Sequence, residues 1–286
     1  MSLQPSLQGR RLSAATLRLL QPKSWADGFG LRNIAAVGSV SATASSTANT
    51  ATTTWVQLFA SSATSEEAAA LLLVPFSTAA NNTDTGLLCD IGTGGTSAPD
   101  VVVVENLAVS HNSNNQILIP IRIPGSTRVA IRTRSSVASR ASNFRCCLFA
   151  SPLGAQMLPT SVDILGTSTS TSTGTELSGT SGAWVQFLSA TAKDYQAIVI
   201  VPSASTALAT ETSGRIDLGV GSPEIQVASA QFSGSSSSAI AFPANSNGIS
   251  AGVYGGFVPA GTRLSVRHNL TNPERHDFCV IGVPYV

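Results

Sequence analysis

Pro259-Ala260-Gly261-Thr262-Arg263-Leu264-Ser265-Val266-Arg267 has a close copy half a chain earlier, Pro124-Gly125-Ser126-Thr127-Arg128-Val129-Ala130-Ile131-Arg132. In both, a Pro/Gly turn leads into a strand of alternating character. Val129 and Ile131 oppose Arg128, Ala130 and Arg132, just as Leu264 and Val266 oppose Arg263, Ser265 and Arg267. A period of two with one apolar set is the mark of a strand with one face turned inward. Working outward, Trp55-Val56-Gln57-Leu58 aligns with Trp184-Val185-Gln186-Phe187, Asp90-Ile91-Gly92 with Asp217-Leu218-Gly219, and Cys147 with Cys279. The chain is read as an internal duplication.

Each copy reads as short strands with Gly/Pro/Asn/Ser punctuation. Leu71–Val74 and Ile198–Val201 are continuous apolar runs, each stopped by a proline (Pro75, Pro202), which predicts buried strands. Ile117, Ile119, Ile121 and Ile123 alternate with Leu118, Pro120 and Arg122, predicting a strand with one inward face. Ser168–Gly182 looks like a flexible linker in isolation, but its counterpart follows the same opening in the first copy, so a strand and loop are expected there. The predicted fold is all-β: two tandem jelly-roll-like β-sandwich modules, 34–153 and 162–286, joined by a short linker near Pro159 and preceded by an N-terminal arm, 1–33.

The arm holds Arg10, Arg11, Arg18, Lys23 and Arg32, with Leu12, Leu17 and Leu20 spaced for a short amphipathic helix that Pro22 ends. It is expected to dock on a partner or neighbouring subunit through Arg10, Arg11, Leu17, Arg18, Leu20 and Trp25. No secretory apolar core and no run near the ~20 residues of a membrane helix is present, so neither export by a standard signal nor a membrane partner is expected.

Of 286 residues only 11% are charged, and the formal net charge is +1. Such a surface has no general pull toward nucleic acid and little repulsion against self-association. No phosphate loop and no basic stripe interleaved with aromatics is present, which disfavours nucleic-acid binding. Cys89, Cys146, Cys147 and Cys279 lack zinc or redox spacing and are expected as buried thiols.

Candidate chemistry is sparse. Gly248-Ile249-Ser250-Ala251-Gly252 matches the nucleophile-elbow pattern, but it lies in a Gly/Ser/Asn-rich connection rather than between a strand and a helix, so catalysis is not expected. His268 and His276, with Asp277 nearby, are expected to be solvated loop residues rather than metal ligands. Asp84, Asp90 and Asp100 read as turn-formers rather than calcium ligands. Asn81-Asn82-Thr83 and Asn269-Leu270-Thr271 match glycosylation sequons, which carry meaning only on a secretory route. Neither a cofactor nor a metal is expected. Arg128 with Arg132, and Arg263 with Arg267, could grip a carboxylate or acidic sugar. Their presence in both copies favours ion pairs instead, with Asp90 and Asp217 as candidate partners. Trp55 and Trp184 could be stacking platforms but are expected to fill the sandwich cores.

The turn-strand signature, Val258-Pro259-Ala260-Gly261-Thr262-Arg263 leaving as Leu264-Ser265-Val266-Arg267, resembles the repeated β-sandwich modules of virion accessory proteins in tailed bacteriophages. That resemblance implies a non-enzymatic structural role in a virion as a short fibre, spike, collar or decoration component. It also implies symmetric self-association as a trimer and attachment to capsid or tail through the arm. The alternative is a carbohydrate- or receptor-binding module that takes a host glycan on its loops.

Overall fold

A computed structural model describes residues 32–63, 65–76, 86–110, 116–151, 155–177, 182–203, 212–235, 238–241, 252–270 and 276–286. Among these residues the chain is all-β. In the first half run β1 (Arg32–Thr43), β2 (Val56–Phe59), β3 (Ala68–Phe76), β4 (Gly86–Thr93), β5 (Val101–Ser110), β6 (Ile117–Ile123), β7 (Val129–Ser135) and β8 (Ala141–Ala150). They form two antiparallel sheets of order β1-β8-β3-β6 and β2-β7-β4-β5. That is the jelly-roll arrangement, in which the chain crosses repeatedly between two facing sheets. Leu71, Leu73, Phe144, Cys146, Ile119 and Ile121 from one sheet share a buried cluster with Cys89, Ile91, Val104, Leu107, Val129 and Ile131 from the other.

The second half repeats this order. It comprises β9 (Asp163–Leu165), β10 (Thr167–Ser168), β11 (Thr173–Leu177), β12 (Val185–Leu188), β13 (Tyr195–Ser203), β14 (Thr212–Val220), β15 (Ile225–Ser235), β16 (Ser238–Ala241), β17 (Gly252–Tyr254), β18 (Leu264–Leu270) and β19 (His276–Pro284). The sheets are β10-β11-β19-β13-β17, with β9 also on β19, and β12-β18-β14-β15-β16. Thus β19 stands where β8 stands, β13 where β3 stands, and β18 and β14 where β7 and β4 stand.

Strand register corrects one landmark. Pro75 faces Phe144 and Pro202 faces Phe278, so the equivalent residues are Phe144 and Phe278, and Cys147 corresponds to Ile281 rather than to Cys279. Phe144 and Phe278 are both fully buried, which makes the bulky ring, not the thiol, the feature common to both closing strands. The prolines also fail to stop their strands, since β3 continues to Phe76 and β13 to Ser203. Each proline sits beyond the reach of the strand on its other side: β6 pairs only as far as Leu73, and β17 only as far as Ile200. No ladder bond is lost there.

The arm boundary shifts slightly. Arg32 and Asn33, read as arm, already pair with Ala150 and Phe149 in β1. The arm residues Arg10, Arg11, Leu17, Arg18, Leu20 and Trp25, and the helix expected there, lie outside the described residues.

The counterpart of β1 is interrupted in the second half. Val37 and Leu165 occupy matching places opposite Cys146 and Val280. Where β1 carries a small irregularity between Val37 and Val40, the second half makes a hairpin excursion through β10 before β11 rejoins β19 at Thr175. Gly166 (φ 79°) and Ser172 (φ 57°) flank it. This excursion reaches the first half: a Cβ on Gly86 would lie 2.5 Å from the Ser172 carbonyl oxygen.

The two halves therefore share one core. Ile198, Ile200, Phe278 and Val280 face the second half's own partner sheet. The alternate residues Ala197, Val199, Val201, Cys279, Ile281 and Val283 join the buried cluster of the first half. Residues between the halves are stitched down as well: Val162 N donates to Val103 O at 3.0 Å, and Arg122 N to Pro159 O at 2.9 Å. As a result β13 is buried on both faces, whereas Leu72 and Val74 of β3 remain partly exposed.

All four cysteines are free thiols, and Cys89, Cys146 and Cys279 are buried. Burial pushes the Cys279 thiol up to about 12 and raises Cys89 and Cys146 strongly. Burial, aided by the Asp163 carboxylate that accepts its hydroxyl at 3.0 Å, likewise raises Tyr195. These groups stay protonated when folded but ionise in the unfolded chain, where a thiol titrates near ~8.5. The unfolded state then binds fewer protons, so stability should hold below about pH 8.5 and fall as pH rises from there toward the folded values. Thermal unfolding followed from pH 8 to 11 should show this decline, with Cys279→Ala giving a shallower slope by up to about 1.4 kcal/mol per pH unit.

Candidate functional site

The most distinctive polar arrangement occurs twice. On β4, Asp90 faces Arg132 of β7, and on β14, Asp217 faces Arg267 of β18. Arg132 Nε donates to Asp90 Oδ2 at 2.8 Å, and Arg267 Nε to Asp217 Oδ2 at 2.9 Å. Each guanidinium lies over a tryptophan ring, Arg132 over Trp55 and Arg267 over Trp184, both at 4.7 Å from the centroid. Alternation explains the geometry. Val129, Ile131, Leu264 and Val266 take the inner face of their strands, which leaves both arginines and aspartates on the outer face.

The tryptophans do not fill the cores as expected. Both are half-buried, laid on an outer sheet face beneath an arginine, because the inner positions beside them are taken by Leu58 and Phe59 or by Phe187 and Leu188. Trp184 lies against Gly219, where a Cβ would come within 2.8 Å of its ring. Stacking of this kind contributes about 0.5–2 kcal/mol.

The aspartates are almost wholly buried, and their oxygens are fully engaged. Asp90 Oδ1 accepts Asn106 N at 2.7 Å. Asn106 has φ 59° and lies in an irregularity of β5 between Leu107 and Val104, which aims its amide at the carboxylate. Asp217 Oδ1 accepts Ser229 Oγ at 2.8 Å and Gln226 Nε2 at 3.2 Å, while Arg215 joins Arg267 on Oδ2 at 3.1 Å. Carboxylates so occupied anchor the neighbouring strands to one another. The ion pairs expected for Arg132 and Arg267 are therefore present.

The other two arginines differ between the halves. Arg263 pairs with Glu224 and donates from Nε to Ser265 Oγ at 3.2 Å. Its equivalent Arg128 is 8% exposed, yet has no carboxylate in ion-pair range among the described residues. Arg128 Nε reaches Gln57 Oε1 at 3.3 Å, Nη2 reaches Ser97 O at 3.5 Å, and Nη1 has no hydrogen-bond partner. Glu224 was not singled out in the sequence. A signal for it exists in the repeat of Pro99-Asp100-Val101 as Pro223-Glu224-Ile225.

Remaining candidates separate cleanly. His268 and Asp277 are buried on strands β18 and β19, not solvated in a loop as expected, because each strand continues farther than its punctuation suggested. No grouping of three or more His, Cys, Asp or Glu suited to a metal occurs among the described residues. Asp100 caps the turn as expected, accepting Gly95 N at 2.9 Å. Ser250, His111, Asp84 and the first sequon lie outside the described residues, as does part of the second. No described helix is long and apolar enough to cross a membrane.

Asp217→Asn keeps the shape of the anchor and removes its charge, leaving Arg267 and Arg215 without a counter-ion. Denaturant unfolding should show a loss of about 2–3 kcal/mol, and a smaller loss for Asp90→Asn, which carries one arginine. No protein-family model matches the chain, and no curated protein matches it in sequence at a significant level.

Proposed function

We propose that this chain is a non-enzymatic structural protein of a virion, built to pack against copies of itself and to attach through residues 1–33. A tailed-bacteriophage short fibre, spike, collar or decoration component is the specific form of this reading. The observation that supports it best is what the duplication retains. Both halves keep the same Asp–Arg–Trp clamp on an outer face. They also expose an aliphatic side chain at matching places, Val101 at 55% and Ile225 at 67%. Residues kept in both copies and engaged with each other serve folding and surface packing, whereas a catalytic constellation needs only one copy.

The charge-poor exterior favours the same reading, since few charges would be desolvated in a subunit contact. Jelly rolls occur in viral capsids and in lectins, so fold analogy allows both the structural role and glycan recognition. The glycan reading has one observation behind it: Trp55 and Trp184 lie on outer faces beside exposed Gln57 and Gln186.

Light scattering on the full-length protein and on a chain lacking residues 1–33, combined with retention on virion particles, tests the proposal. Assembly of the full chain with a trimer mass is expected, as is loss of virion binding on truncation. Monomers at every concentration, with no retention on virions, would overturn it. Glycan-array binding lost in Trp55→Ala and Trp184→Ala would then establish the second reading.

A further inference from the structure

We propose that Arg128 forms the base of a carboxylate-binding site, taking from outside the chain the counter-charge that Glu224 supplies from within to the equivalent Arg263. A guanidinium cannot lose its proton, so a buried arginine must be matched by negative charge or by a full set of acceptors. Arg263 has such a match in Glu224, and Ser265 Oγ adds to it at 3.3 Å from the same carboxylate oxygen. Arg128 has neither. It is more deeply buried, its neighbour at the Ser265 position is Ala130, its bond to the Ser97 carbonyl is long at 3.5 Å, and Nη1 is unpartnered.

The cause is visible in the adjoining loop. Asp100 occupies the place of Glu224 but is one methylene shorter, and its carboxylate is turned onto the Gly95 amide at 2.9 Å. The loop is also longer, with Thr93–Ala98 separating Gly92 from Pro99 where only Val220–Ser222 separates Gly219 from Pro223. Gly94 and Gly95, at φ 78° and 59°, fold that loop back over the arginine, and Gly94 N is tied to Arg128 O at 2.9 Å. Nη1 is closed off from solvent and Nη2 is held only by the long bond to Ser97 O, so an acid that displaced the exposed Thr96–Ala98 segment would meet both amino groups of one guanidinium, the fork that a carboxylate satisfies with two parallel hydrogen bonds. The ligand is a carboxylate, either a free small molecule or an acidic side chain of a second copy.

The test compares the full-length protein in sodium acetate and sodium chloride at equal ionic strength, reading thermal unfolding and, by light scattering, mass across protein concentration. Acetate should raise Tm by about 2–4 °C over chloride. Arg128→Met should abolish the difference. Asp100→Glu, which keeps the guanidinium and supplies the longer acid, should abolish it too, and decides the question if Arg128→Met does not fold. With a free carboxylate as ligand, the Tm shift comes without a change in mass. With a second copy as ligand, wild type associates, acetate disperses it, and both variants stay monomeric. Equal acetate responses in wild type and both variants overturn the proposal, as does the absence of both an acetate shift and Arg128-dependent association. The site does not rest on the virion reading: an acetate shift in a monomer would leave it standing while counting against self-assembly.

Discussion

The centre of one sheet, β13 with residues 278–283 of β19, is buried on both faces and carries no charged side chain there. Its Ile198, Ile200, Phe278 and Val280 complete the second jelly roll, while Val199, Val201, Cys279 and Ile281 complete the core of the first. At about 25 cal/mol per Å² of apolar area, those second-face residues contribute a stabilisation that neither roll would have alone. The hairpin through β10 and the stitched segment at Pro159–Val162 follow from the same requirement, because a middle sheet must be sealed at its margins. What repeats in sequence is thus two rolls, and what folds is one block.

Duplication then sets what each half can specialise. The Asp–Arg–Trp clamp is the same in both rolls, with Nε on the carboxylate and the guanidinium on the ring. Around it the halves diverge. Asp217 gathers two arginines, a serine and a glutamine, whereas Asp90 leans on a backbone amide presented by Asn106. The neighbouring arginine diverges further, closed by Glu224 in one roll and, among the described residues, left without a carboxylate in the other. A longer loop, an acid shorter by one methylene and Ala130 in place of Ser265 accompany the change from an internal ion pair to the site proposed for an external acid.

Much of this was legible in the sequence. The copied signature around Arg128 and Arg263 gave the repeat, alternation gave the inward sets Val129/Ile131 and Leu264/Val266, and the shared aspartates gave the ion pairs. Other features were not legible, for physical reasons. Leu71–Val74 and Ile198–Val201 read alike, yet only the second is buried on both faces, because burial on the outer side depends on a neighbour that no local pattern encodes. A tryptophan just before a strand fits either face, and its choice here is set by Arg132 and Arg267. The thiols offered a tempting alignment, but register follows the rings of Phe144 and Phe278. Glu224 was obscured because the loops leading to it and to Asp100 differ in length.

Native-state hydrogen exchange measures the shared core most directly, since amides open with the free energy of the unit to which they belong. If the halves fold as one block, amides of β13 and β19 will exchange with the same opening free energy as those of β4 and β8. A lower value for β13 and β19, with β4 and β8 still protected, would mean that the second roll opens by itself and that the middle sheet does not join the two.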